Sequence, residues 1–399
     1  MKIGILREEK TPADERVPFT PDQCKWILDN TDVKLVVKSS EVRGFSDKEY
    51  SNLGIKVVED LSDCDVLIGV KEVPKSSLIK DKMYFYFSHT IKKQSYNRDL
   101  LQKMLDLNIE MVDYEALKDN KNKRLVGFGR YAGIVGAYNA FLTNGLKSGK
   151  YTLKAAHKCS GRKEVEQELK KLKLNNEKIL LTGKGRVANG VLEILNLANI
   201  KEVNKEDFIS KHYNEPVFCR LNTMDYNERI DGAISSKSEF YKHPELYKSS
   251  FMKYAKHTDI YISGHFFGVG SPYLFTRKDA KSDDFNIKVI ADISCDIDGP
   301  VASTIRPSTI DHPIYGYNLI TEKEDDFNKN GVVAVMAVDN LPCELPNDAS
   351  EDFGDEFINK ILPCLLGDDP YDVISRATIC KNKDLTPGFE YLRDYLNGN

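Results

Sequence analysis

Apolar residues recur along the chain in two rhythms. Short apolar runs at 1–6, 33–37, 55–58, 66–70, 83–87 and 109–112 read as buried strands. Between them lie stretches with helical spacing. Thr20-Pro21-Asp22 opens one helix, with Pro21 in a first turn where its missing N–H costs nothing. Tyr96, Leu100, Met104 and Leu107 trace one face of another. Strands alternating with helices predict a parallel, doubly wound sheet. A glycine-rich stretch, RLVGFGRYAGIVG at 124–136, leads into an apolar helix over 132–146 and reads as a crossing between domains. A charged helix is expected over 160–178, with Val165, Leu169 and Leu172 on one side. Strands follow at 179–182, 260–263, 289–293 and 332–338, and a helix at 349–366.

The stretch ILLTGKGRVANG at 179–190 sets the organisation. A short strand meets Gly183 and Gly185 at once, and Val187, Val191, Leu192, Ile194 and Leu195 then recur at helical spacing. Strand, glycine turn and helix in that order present backbone N–H groups and a helix N-terminus to a pyrophosphate. The third glycine, Gly190, stands two places later than in the usual G-x-G-x-x-G. We expect two Rossmann-like α/β domains with an active-site cleft between them. One is drawn from 1–132 plus 318–399, and a dinucleotide-binding domain occupies 133–317.

Composition narrows the classes. A net charge of −4 gives no electrostatic case for nucleic acid or an anionic membrane. Eight dispersed cysteines without a CxxC pair suit reduced thiols. The seven histidines show no ligand spacing, so no metal is proposed. No apolar run approaches the ~18 residues of a membrane helix. MKIGILREEK reads as a strand rather than a signal peptide. The expectation is a soluble, cytoplasmic protein.

Ligands of doubly wound sheets bind beyond the carboxyl ends of the strands. Lys71, His89 and Glu115 all stand just past expected strand ends. A desolvated lysine and a histidine suit proton transfer near neutrality. Each taken singly also has an ordinary structural role. Arg16, Lys92 and Arg124 are cations able to bind carboxylates. These residues point to an NAD(P)-dependent oxidoreductase acting on an acidic small molecule, and they leave the substrate open.

Longer motifs carry a resemblance. LREEKTPADERVPFTP, GVKEVP, YFSHTIKKQ, MVDYEALKD, RLVGFGRYAG, LTGKGRVANG, EFYKHPELY, ADISCDIDG, STIDHPIY and VDNLPCELPNDASEDFGDE occur in one order almost end to end. The chain resembles the lysine-forming saccharopine dehydrogenases. It also resembles the lysine–2-oxoglutarate reductase portion of the aminoadipic semialdehyde synthases. Both lie within the alanine dehydrogenase/transhydrogenase superfamily. The resemblance implies interconversion of saccharopine with lysine and 2-oxoglutarate. It implies Lys71 and His89 as the acid–base pair, with Glu115 and Glu72 setting the charge around Lys71. It also implies Arg16, Lys92, Arg124 and Phe128 in the substrate pocket. Gly183, Gly185, Arg186 and Val187 would lie at the pyrophosphate turn and Asp296 at the nicotinamide end. Asn204, 21 positions after Gly183, stands where an acid commonly binds the adenine ribose, so the cofactor is written as NAD or NADP. Lys201, Lys205 and Arg186 are near enough in sequence to attract a 2′-phosphate. Two other readings remain: an alanine dehydrogenase-like enzyme, and a non-catalytic NAD(P)-binding regulator. Direction and oligomeric state are left open.

Overall fold

Residues 1–398 are described by a computed structural model, and the chain divides into two compact units. The first comprises Met1–Phe128 and the chain from Pro346 onward, and the second comprises Gly129–Leu345.

The first unit is an eight-stranded sheet. Its strands are β1 (Lys2–Ile5), β2 (Lys34–Lys38), β3 (Lys56–Val58), β4 (Val66–Ile68), β5 (Met83–Tyr86), β6 (Glu110–Asp113), and, from the C-terminal segment, β17 (Thr378–Lys381) and β18 (Asp384–Leu385). The order is β18-β17-β6-β5-β4-β1-β2-β3, parallel from β6 to β3 and antiparallel at β17. The chain goes from β1 to β2 on one side and later crosses to β4 on the other. The β1/β4 junction is therefore a topological switch point, where ligands of such sheets bind.

Helix α1 (Pro21–Asn30) starts on a Thr20–Gln23 capping box. The C-terminal segment returns as α6 (Pro346–Lys360), and Val17 N–H donates to Ser350 Oγ at 2.9 Å. Its Phe353 and Phe357, both fully buried, meet Tyr114 at 5.0 Å and Phe19 at 5.1 Å. Truncating either ring would cost about 3–5 kcal/mol, which is why this unit needs both ends of the chain. The helix expected over 349–366 is broken at Ile361, after which a separate turn of helix contains Pro363.

The second unit holds another eight-stranded sheet, ordered β15-β14-β16-β13-β12-β7-β9-β8. These are β7 (Lys178–Thr182), β8 (Lys201–Glu202), β9 (Val217–Leu221), β12 (Ile260–Ser263), β13 (Val289–Asp292), β14 (Ile314–Asn318), β15 (Glu324–Asp325) and β16 (Val332–Met336). A separate hairpin pairs β10 (Asn227–Arg229) with β11 (Tyr247–Ser249). The segment 318–345, expected with the first domain, lies in the second unit because β16 pairs parallel with β13. The helix expected over 160–178 is confined to Arg162–Glu168 and a 3₁₀ turn to Lys171. Leu172 is extended, and the poor helix formers Asn175-Asn176 follow.

Helix α3 (Gly129–Ser148) crosses α4 (Arg186–Leu197) closely. A Cβ at Gly190 would stand 2.0 Å from Arg130 O. The late third glycine therefore serves helix packing. Two further helices matter below, α2 (Arg98–Asp106) and α5 (Lys205–Ser210). Among the described residues no helix is long and apolar enough to cross a membrane.

Candidate active site

In the first unit the carboxyl ends of β1, β4, β5 and β6 carry Glu8, Lys71, His89 and Glu115 respectively. Glu8 bridges the switch point: its carboxylate accepts Val70 N–H at 2.7 Å and Lys71 N–H at 2.8 Å. Burial pushes the Glu8 carboxyl up to about 7, although these two donors oppose the shift. The Lys71 ammonium is pushed below its ordinary value, chiefly by burial and then by the charges of Arg16 and Lys10, while Asp14 and Glu72 pull it back. Asp14 and Glu72 are thus acids that tune Lys71. Glu115, expected in that role, faces Lys92 and Arg124 instead, each at 3.5 Å.

His89 is held from two directions. Its Nδ1 hydrogen-bonds Glu72 Oε1. Burial opposes ionisation of Glu72, but the His89 contact wins and holds the carboxyl at about 2. An ionised Glu72 can only accept, so Nδ1 donates and Nε2 is left for chemistry. The His89 backbone is left-handed, at φ 55°, a conformation uncommon for a non-glycine residue and maintained only by its surroundings. Buried Asp113 supplies them. It accepts Ser88 N–H at 3.0 Å, Ser88 Oγ at 2.5 Å and Glu115 N–H at 2.7 Å. Asp113 thereby anchors the β5 and β6 loops together.

Arg16 is only 3% exposed, and Asp14 takes its Nε at 2.9 Å and Nη2 at 2.6 Å. The guanidinium lies 4.3 Å from the Phe128 ring centroid, and Phe128 stacks on Phe353 at 4.7 Å. A fixed cation on an aromatic floor results. Lys92 and Arg124 are nearly half exposed, at 48% and 44%. One Glu115 oxygen is buried with no hydrogen-bond partner among the described residues.

Sequence reasoning missed Glu8 and Asp113. Both stand at strand ends, the same positional signal that singled out Lys71, but Glu8 lies in the charged run 7–10 and reads as surface, and Asp113 follows directly on the apolar run that marks β6.

In the second unit Gly183 turns at φ +107°, and a Cβ there would meet Gly264 O at 2.3 Å. Its N–H donates to Leu221 O at 2.9 Å. Gly185 faces open space, and α4 starts on it without a side-chain cap. Arg186 and Val187 are the first residues of that helix. An uncapped helix N-terminus and an unobstructed turn fit a dinucleotide's pyrophosphate.

Asn204 stands at the start of a helix. Its Oδ1 caps α5 by accepting Asp207 N–H at 2.7 Å, and β8, which precedes it, is the sheet's edge strand. The strand beside the glycine turn is β9, which the sequence reading omits. Fully buried Asp292 ties the ends of β12 and β13 together, accepting from Ser263 Oγ and, at 2.7 Å each, from Ser294 Oγ and Thr304 Oγ1. Burial and then Asp292 raise the carboxyl of Asp296 just beyond.

Comparison with known proteins agrees with this architecture. Residues 4–135 match the family model described as alanine dehydrogenase/PNT, N-terminal domain. An alpha-aminoadipic semialdehyde synthase of Arabidopsis thaliana is 29% identical over 438 residues, covering 98% of this chain and 41% of that protein. A saccharopine dehydrogenase [NAD(+), L-lysine-forming] of Schizosaccharomyces pombe is 24% identical over 377 residues, covering 90% of this chain and 91% of that protein. The chain thus resembles both groups along nearly its whole length, and it spans less than half of the aminoadipic semialdehyde synthases it matches. The solved structure of an L-alanine dehydrogenase superposes with TM-score 0.65 at 15% identity, covering 99% of this chain and 100% of that one. The fold is shared.

Proposed function

We propose that this chain is an NAD(P)-dependent oxidoreductase that interconverts saccharopine with L-lysine and 2-oxoglutarate. The observation that carries the proposal is the acid–base set at the β1/β4 switch point. A half-buried lysine of lowered basicity follows β4, and past the neighbouring β5 stands a histidine whose Nδ1 is committed to an ionised Glu72. The relatives' names supply the substrate class.

The residues suit the reaction step by step. Lys71, as the neutral amine, takes a proton from the ε-ammonium of the substrate lysine. The freed nitrogen attacks the keto carbon of 2-oxoglutarate. His89, as imidazolium, protonates the carbinolamine hydroxyl from Nε2, and water leaves. A nicotinamide dinucleotide held by Gly183, Gly185, Arg186 and Val187 would supply the hydride that the iminium carbon requires. Protonated Lys71 then returns its proton to the secondary amine, so each turnover consumes one proton, through His89. Two positioned acid–base groups of this kind each contribute about 10²–10⁴-fold.

Saccharopine has three carboxylates, and Arg16, Lys92 and Arg124 are the cations we assign to them. Phe128 supports Arg16, and Glu115 orients Lys92 and Arg124. Gly183, Gly185, Arg186 and Val187 would hold the pyrophosphate, and Asp296 would stand near the nicotinamide.

The test follows absorbance of NADH and NADPH with lysine and 2-oxoglutarate together and with each omitted. Oxidation that needs both supports the proposal. Oxidation with pyruvate and ammonia instead, or none with any keto acid from protein that binds nucleotide, contradicts it.

A further inference from the structure

The first unit also holds an open cleft of about 670 Å³, inside the roughly 300–1,000 Å³ range of small-molecule sites. Three parts of the chain build it: Ile91 in the loop after β5, the segment 115–122 after β6, and the C-terminal segment 375–391. Neither Lys71 nor His89 lines it, so a molecule held there is not the one that reacts.

Arg376, on this cleft, is fixed without being neutralised. It belongs to a short helix, Val373–Ala377, that leads into β17. Its Nε donates to Tyr371 O at 2.9 Å and its Nη2 to Lys118 O at 2.8 Å. Both acceptors are uncharged carbonyls, and Nη1 is left over. Half-buried Lys118 stands on a hairpin arm that pairs antiparallel with Arg124. Among the described residues neither the Arg376 guanidinium nor the Lys118 ammonium has a carboxylate within ion-pair distance. The acid next to Lys118, Asp119, accepts Lys121 and Lys123 N–H at 2.9 and 2.8 Å. Glu115 lines the cleft too, but its charge is shared between Lys92 and Arg124. Phe389 and Tyr391 supply an apolar wall, their ring centroids 6.1 Å apart, and the Tyr391 ring is half exposed. A Cβ at Gly388 would meet nothing within 4 Å, which leaves room against that wall.

We propose that this cleft is a binding site separate from the acid–base set, and that it takes a small carboxylate with a flat apolar body. The carboxylate accepts from Arg376 Nη1 and from the Lys118 ammonium, while the body rests on Tyr391 and Phe389. Because the guanidinium is already held in place, little side-chain entropy is lost on binding.

Fluorine NMR titration of the full chain with 3-(4-fluorophenyl)propionate, beside its uncharged amide, tests this without any turnover. The acid is expected to bind at least about fivefold tighter than the amide, as two partly exposed ion pairs allow. Lys118→Met removes an ammonium that holds nothing else in the fold, and it should cut that preference by about twofold or more. Arg376→Gln should cut it as well. Tyr391→Ala should weaken acid and amide alike, by about threefold or more. No detectable binding of the acid, equal affinities for acid and amide, or a preference that Lys118→Met and Arg376→Gln both leave unmoved would overturn the proposal. Failure of the proposed reaction reads differently: a chain that takes the probe yet oxidises neither reduced cofactor with lysine and 2-oxoglutarate keeps this site and loses that reaction.

Discussion

Glu8 ties the switch point together at a cost that depends on pH. Its carboxyl is moved from 4.5 to about 7, chiefly by burial, which corresponds to about 3 kcal/mol between the two protonation states. Because the side chain keeps some contact with solvent, about 2 kcal/mol is the better expectation. In the unfolded chain Glu8 ionises near its ordinary value, whereas in the folded chain it keeps its proton to higher pH. The folded state therefore binds more protons between these values, and stability falls as pH rises from 4.5 through about 7. Glu8→Gln abolishes the titration. It also loses one of the two acceptors for Val70 and Lys71 N–H, but that loss is independent of pH and cancels in a double difference. Urea unfolding of wild type and variant at about pH 5 and about pH 8 measures it. The wild type should lose about 2 kcal/mol more than the variant between the two conditions. An identical pH dependence would refute the assignment of a raised carboxyl to Glu8.

Four further expectations follow from the geometry. Lys71→Met should cut turnover at least about 10²-fold while leaving nucleotide affinity intact, measured by steady-state kinetics beside a binding titration. Asp113→Asn should leave a donor of Ser88 or Glu115 unpaired, costing about 1–3 kcal/mol by urea unfolding and lowering kcat as the His89 loop loosens. Gly190→Ala, whose Cβ would stand 2.0 Å from Arg130 O, should destabilise by about 1–3 kcal/mol or more. Gly185→Ala, facing open space, should melt like wild type yet weaken nucleotide binding.

Much of the site was legible because strand ends in a doubly wound sheet are marked by where apolar runs stop. Lys71, His89 and Glu115 fall out of that rule alone, and Gly183 and Gly185 out of the strand–turn–helix order. The omissions have physical causes. β9, VFCRL, is a short run interrupted by Arg220, and nothing local shows that it inserts between β7 and β8. Asn204 follows β8, the edge strand, whereas Asn222 follows β9, the strand beside the glycine turn. Likewise β16 follows the chain's return from β15, and its parallel pairing with β13, which keeps 318–345 in the second unit, is a long-range fact. Arg16 reads from the sequence as a cation able to bind a carboxylate, and only the fold shows that Asp14, two residues away, holds it.

In the proposed reaction one hydride reduces the imine that lysine forms with 2-oxoglutarate. Reduced cofactor deuterated at the transferring carbon, incubated with both substrates and the full chain, tests it by mass spectrometry of the product. The expected product contains both substrate skeletons and one deuterium on the carbon that was the keto carbon. A product lacking either skeleton, or deuterium-free saccharopine formed as the cofactor is oxidised, would contradict it.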